Sequence, residues 1–193
     1  QVIVKSAPPM AFPGISDSNS PLHWSNGKLK VFQSMGMAIR SEADSLDGPW
    51  DTIAVVSEEK HAPWWIEATW HDDQHNALFA WYHFEDHSVC ETGMAVPAIG
   101  AMLSWDDGAT FQDLGLVLAS GDPKNCEAQN GYFAGGHGDF SVVLDPNREF
   151  LYFLFGNYGG TSKRQGVSAA RMPFDARWAP VGQVQKYSRG VWN

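Results

Sequence analysis

The chain has 193 residues, 44% of them apolar, enough for one all-β domain with a sizeable core. Thirteen basic against 22 acidic residues leave a net charge of −9 without a basic stripe, which argues against nucleic acid or a membrane surface as partner. No apolar run approaches the roughly 20 residues of a membrane helix, and two cysteines exclude a disulfide-dense scaffold. The opening Gln1-Val2-Ile3-Val4-Lys5 lacks Met and any signal pattern, and reads as the processed or trimmed start of a secreted or periplasmic protein.

Helical periodicity is nearly absent; short alternating or apolar runs fall into three similar sets of four. The first set is Ser20–Trp24, Lys28–Ser34, Met37–Ala43 and Thr52–Val56, with turns at Ser25-Asn26-Gly27 and Asp47-Gly48-Pro49. The second is Ile66–His71, Ala77–Phe84, Ala98–Trp105 and Gln112–Ala119. The third is Phe140–Leu144, Phe150–Gly156, Gly166–Met172 and Val181–Tyr187. The second strands read KLKVFQS, ALFAWYH and FLYFLFG, the most apolar of each set, as strands buried on both faces do. Four antiparallel strands repeated every roughly 50 to 70 residues are the mark of β-propeller blades. A two-sheet sandwich is the alternative architecture. The blades cover about 16–60, 61–122 and 135–190 of a single domain, 1–193.

Ser104-Trp105-Asp106-Asp107-Gly108-Ala109-Thr110-Phe111 fits the Asp-box pattern S-x-D-x-G-x-T-[WF], a tight hairpin between third and fourth blade strands. Its role is structural. Three blades do not close a ring, since propellers have roughly four to eight. The sequence therefore implies either further blades or a second chain or second copy completing the ring.

First strands of blades start beside the central channel, so acidic residues there converge although distant in sequence. Asp17, Glu67 and Asp139 occupy equivalent positions before or within the first runs of the three sets. Glycoside hydrolysis needs such a set: a base to activate water, an acid for the leaving oxygen, and a group to tune them. An Asp before a strand is also an ordinary turn residue.

With its blade pattern, the early Asp17 with Pro21 and NGKLKVFQS, and the blade ending Ser45-Leu46-Asp47-Gly48-Pro49-Trp50, the chain resembles five-bladed, family 43-like glycoside hydrolases. The resemblance implies an all-β propeller of the five-bladed type and an inverting hydrolase acting on a poly- or oligosaccharide. By position it implies Asp17 as general base, Glu67 as the tuning carboxylate and Asp139 as the acid, with His137 or Glu127 as other candidates for the acid. The sequence departs from the family where Ser18, not Pro, follows Asp17, where Glu67 replaces Asp, and where His137-Gly138-Asp139 replaces Glu-Gly-Pro. Carboxyl separations of about 6.5 Å or more would predict inversion.

Trp64 and Trp65, just before Glu67, are candidates for stacking on a sugar ring, with core packing as the alternative. His87, His137 and Glu127 complete the expected substrate-binding set, whereas Trp24, Trp70 and Trp81 fall within strands as structural residues. Cys90 and Cys126 are expected at one rim, as a disulfide or as two buried thiols. The pairs His71/His75 and His83/His87 have a spacing that suits zinc on a helix and not on a strand, so no catalytic metal is expected. No cofactor is required, though carboxylates in the channel leave room for a structural calcium. The alternatives to a hydrolase are a non-catalytic carbohydrate-binding propeller and a sialidase-like exo-glycosidase. The latter needs an arginine cluster, for which Arg40, Arg164 and Arg171 are too scattered.

Overall fold

The computed structural model describes residues 3–6, 9–57, 60–159 and 165–193, so Arg164 lies outside the described residues. In the first blade, β1 (Leu22–Ser25), β2 (Lys28–Ser34), β3 (Ala38–Ala43) and β4 (Asp51–Ala54) form an antiparallel meander in that order. The expected strand Thr52–Val56 breaks at Val55, which turns into the core and donates its N–H to the Ala38 carbonyl. Beyond the break, β5 (Val56–Ser57) changes sheet and pairs in parallel with the last strand of the second blade.

That second blade is the meander β6 (Trp64–Asp72), β7 (Ala77–Asp86), β8 (Val96–Ser104) and β9 (Thr110–Leu118). The third is β10 (His137–Leu144), β11 (Phe150–Asn157), β12 (Gly166–Pro173) and β13 (Gln185–Ser188), extended by β14 (Val191–Trp192). The fourth strand of this blade starts four residues later than the sequence suggests. A 3-10 turn over Phe174–Trp178 and a turn closed by Gln183 N–H to the Pro180 carbonyl occupy the intervening chain.

Strand β7 shows why the blades stack. Side chains alternate across a strand, so Phe79 and Trp81 pack against Phe153, Phe155 and Leu151 of the third blade. Leu78, Ala80 and Tyr82 pack against Phe32 and Ala38 of the first. The outer faces of the end blades are different. Leu22 and Trp24 stand exposed on the first blade, against the expectation that Trp24 is structural packing, and Val143, Leu154 and Val167 stand exposed on the third.

The Asp box forms as its pattern requires. Asp106 accepts hydrogen bonds from Thr110 N–H at 2.8 Å and Thr110 O–H at 2.7 Å, and Ser104 Oγ accepts from Gly108 N–H at 2.7 Å. Gly108 has φ +85°, and a Cβ there would lie 2.4 Å from the Phe32 ring. The hairpin thus locks the second blade to the first, away from the carboxylates.

Candidate active site

Glu67 and Asp139 reach the channel by the same device. Each sits on a β-bulge near the start of its blade's first strand, between Ile66 and Ala68 on β6 and between Gly138 and Phe140 on β10. A bulge re-aims the extra side chain out of the regular alternation. Asp139 also has a positive φ of +42°, unusual for a non-glycine residue. Asp17 precedes β1, and its N–H donates to the Ser34 carbonyl at the end of β2, which holds it at the corresponding place in the first blade. Asn19 ties the three blades together: its N–H donates to Glu67 Oε2 at 3.0 Å and its side-chain amide to the Phe140 carbonyl at 2.9 Å.

The three carboxylates therefore meet in the wall of one cavity of about 500 Å³, with Ser141, Leu154 and Phe155 among its other walls. A second cavity of about 370 Å³ shares Asp17 and Asp139 and adds Trp65, His83, Glu85, Tyr132 and Phe133.

Their environments differ. Glu67 is 5% exposed, and burial pushes its carboxyl up to about 7. The Asn19 N–H and the charge of His83 oppose that shift, while Asp139 and Asp17 add to it. Asp139 is exposed, and hydrogen bonding to His83, followed by Tyr158, holds it below the usual carboxylate range against the effect of burial. Tyr158 donates its O–H to Asp139 Oδ2, and His83 Nδ1 lies 3.5 Å from Asp139 Oδ1. On the far side of the ring, His83 Nε2 lies 3.6 Å from Glu85 Oε1 and has no hydrogen-bond partner among the described residues. One side chain protonated near neutral pH beside another kept ionised is the asymmetry that acid–base chemistry uses. Glu67, His83 and Asp139 also offer ligand atoms all within 4.8 Å of one another, a set that could hold a divalent cation.

No protein-family model and no curated protein sequence matches the chain. Solved structures do. A thermostable family-43 glycoside hydrolase superposes with a TM-score of 0.57 at 9% identity, over 94% of this chain and 56% of that one. An endo-arabinase from Bacteroides thetaiotaomicron gives 0.58 at 13%, over 88% and 61%. An exo-β-1,3-galactanase from Phanerochaete chrysosporium, solved with β-1,3-galactotriose, gives 0.57 at 10%, over 90% and 39%. The fold is that of part of a five-bladed, family-43-type propeller. The chain spans between 39% and 61% of the length of these three hydrolases.

Within that propeller fold the other expected binding residues separate. Trp65 lines the second cavity, beside the His83 ring at 5.6 Å. Trp64, the other stacking candidate, does not reach it. It is 6% exposed, in the core between the first two blades against Tyr82, because neighbouring strand residues point to opposite faces. His87 sits exposed on the rim, bonded to Glu85 and the Gly93 carbonyl. Glu127 is an exposed loop residue and lines neither carboxylate cavity. His137 faces a separate cavity of about 270 Å³ with Asp122 and Lys186. There its Nδ1 donates to the Gly136 carbonyl, its Nε2 accepts from the Lys186 ammonium, and burial with that charge lowers its pKa to about 4. Such a histidine is neutral and engaged, so neither it nor Glu127 stands as an acid beside Asp17. Cys90 and Cys126 form a disulfide.

Sequence reasoning missed Asn19, His83, Tyr158, Tyr132 and Phe133. A histidine within the apolar strand ALFAWYH was the visible signal for His83, since a buried imidazole there calls for a polar partner.

Proposed function

We propose that the chain carries the catalytic pocket of a glycoside hydrolase acting on a neutral poly- or oligosaccharide, with Glu67 as general acid, Asp17 as base and Asp139 as the tuning carboxylate. The observation that carries this is the convergence of three carboxylates from three blades, with Glu67 raised to about 7. The roles of Glu67 and Asp139 are exchanged relative to those implied by position. Glu67 enters protonated and gives its proton to the leaving oxygen, while Asp17 takes one from the attacking water. Ionised Asp139, fixed by His83 and Tyr158, favours the protonated form of Glu67 by like-charge repulsion.

Glu67 and Asp139 approach within 4.8 Å, nearer than the roughly 6.5 Å that leaves room for a water between an inverting pair. The water therefore belongs beside Asp17, and the product is inverted. The same short approach favours a second reading, in which Asp139 is the nucleophile of a retaining reaction. Incubation with arabinan oligosaccharides and β-1,3-galactotriose, following the first-formed anomer by proton NMR, separates the two. Inverted product supports Asp17 as base and retained product supports Asp139 as nucleophile. Absence of hydrolysis, or turnover that survives both Asp17→Asn and Glu67→Gln, contradicts the hydrolase reading.

The Cys90–Cys126 bridge suits an oxidising compartment and so favours a secreted or periplasmic site. No cofactor enters the chemistry. A calcium in the channel would draw on Glu67 and Asp139 and displace the proton of Glu67, so added calcium is expected to lower turnover.

A further inference from the structure

The connection from β9 to β10 is longer than the roughly 12 to 15 residues that compact domains tolerate without regular structure, yet it is held from several sides. Cys126 is bridged to Cys90, with Cα atoms 5.6 Å apart. Beneath the loop lies a small apolar cluster of its own, in which Met94, Ala134 and Ala128 pack around the two sulfurs. Ala95 N–H donates to the Tyr132 carbonyl at 2.9 Å, and Ala134 N–H to the Ala95 carbonyl at 2.8 Å. The Asn130 side chain accepts from the N–H groups of Tyr132 and Phe133 at 2.8 and 2.7 Å.

All this fixes two aromatic residues at the channel. Phe133 packs on the Tyr158 ring, centroids 4.6 Å apart, and so backs the residue that hydrogen-bonds Asp139. Tyr132 stays 74% exposed on a pinned backbone and borders the cavity of about 370 Å³. A ring with one apolar C–H face and hydroxyls on its edge matches such a wall, the face on the tyrosine and the hydroxyls on the carboxylates. Asp17, Glu85 and Asp139 accept from hydroxyls and repel anions, which selects neutral sugars over uronic or sialic acids.

We propose that Tyr132, presented by the disulfide-anchored loop, is the stacking platform that positions a neutral sugar ring beside Asp139. The proposal rests on the glycosidase reading above, and its test separates the two. Calorimetric titration with β-1,3-galactotriose and arabinotriose uses the wild type and Glu67→Gln, each with and without Tyr132→Ala, and the single variant Tyr132→Trp. Tyr132→Ala is expected to weaken binding about tenfold in both backgrounds, while Tyr132→Trp keeps wild-type affinity and the thermal midpoint stays unchanged. Replacing both Cys90 and Cys126 by serine weakens binding in the wild type and adds little once Tyr132 is alanine.

Equal affinity for wild type and Tyr132→Ala, in a protein whose turnover depends on Glu67, overturns the platform and leaves the hydrolase standing. A wild type that binds neither sugar overturns both. Because rings beside carboxylates also suit organic cations, choline is titrated in parallel. Choline binding tighter than either sugar contradicts the assignment.

Discussion

Glu67 and Asp139 hold the same bulge position in successive blades, yet one is buried with a raised pKa and the other exposed and held ionised. What separates them is burial at Glu67 and hydrogen bonding at Asp139. Glu67 faces Asn19 across the first blade and receives one backbone N–H for a buried charge. Asp139 has the Tyr158 hydroxyl and the His83 ring, and water on its open side. A repeated fold supplies repeated positions; the burial and the neighbours found at each position decide the protonation state.

The comparison is tested most severely at Glu67 itself. Glu67→Gln keeps the shape and removes the transferable proton, so turnover is expected to fall by roughly 10²- to 10⁴-fold, as measured by reducing-sugar release. A fall of less than threefold would assign the acid elsewhere. The pH profile of the wild type should decline above about 7 as Glu67 ionises.

Stability should carry the same signature. A carboxyl raised from 4.5 to about 7 on folding binds more protons in the folded state across that window, so stability is present below pH 4.5 and is lost as pH rises to 7. The loss is up to about 3 kcal/mol. Urea unfolding at pH 4.5, 6 and 8 should show this slope in the wild type and a flatter one in Glu67→Gln. Equal slopes would mean that Glu67 ionises as an exposed carboxyl does.

Smaller effects belong to the supporting residues. Tyr158→Phe removes the hydroxyl from Asp139 and should move the acidic limb of the pH profile upward, cutting turnover a few-fold, with an unchanged limb arguing that His83 alone suffices. Asn19→Ala loses the amide strut to Phe140 and should cost about 1 kcal/mol in unfolding free energy, read from the shift in urea midpoint.

Much of the architecture was legible because it is periodic. The apolar second strands KLKVFQS and ALFAWYH, together with the Asp-box hairpin, mark blades directly. The three carboxylates were also legible as equivalent positions. Their roles were not, since Glu67 owes its raised pKa to burial, opposed by Asn19 and His83, which lie 48 and 16 residues away in sequence. Alternation says that Trp64 and Trp65 face opposite ways, but nothing local marks Trp64 as the one turned inward and Trp65 as the one facing the cavity. Val55 likewise looks like any strand residue until the core between the first two blades takes it in.

The most direct test is a ¹³C-carboxyl NMR titration of the wild type, with Glu67 assigned by its absence from Glu67→Gln. A Glu67 resonance titrating near 7, with Asp139 below the ordinary carboxylate range, is the predicted result. A Glu67 midpoint near 4.5 would contradict it and leave Glu67 and Asp139 both ionised, with neither able to act as the acid.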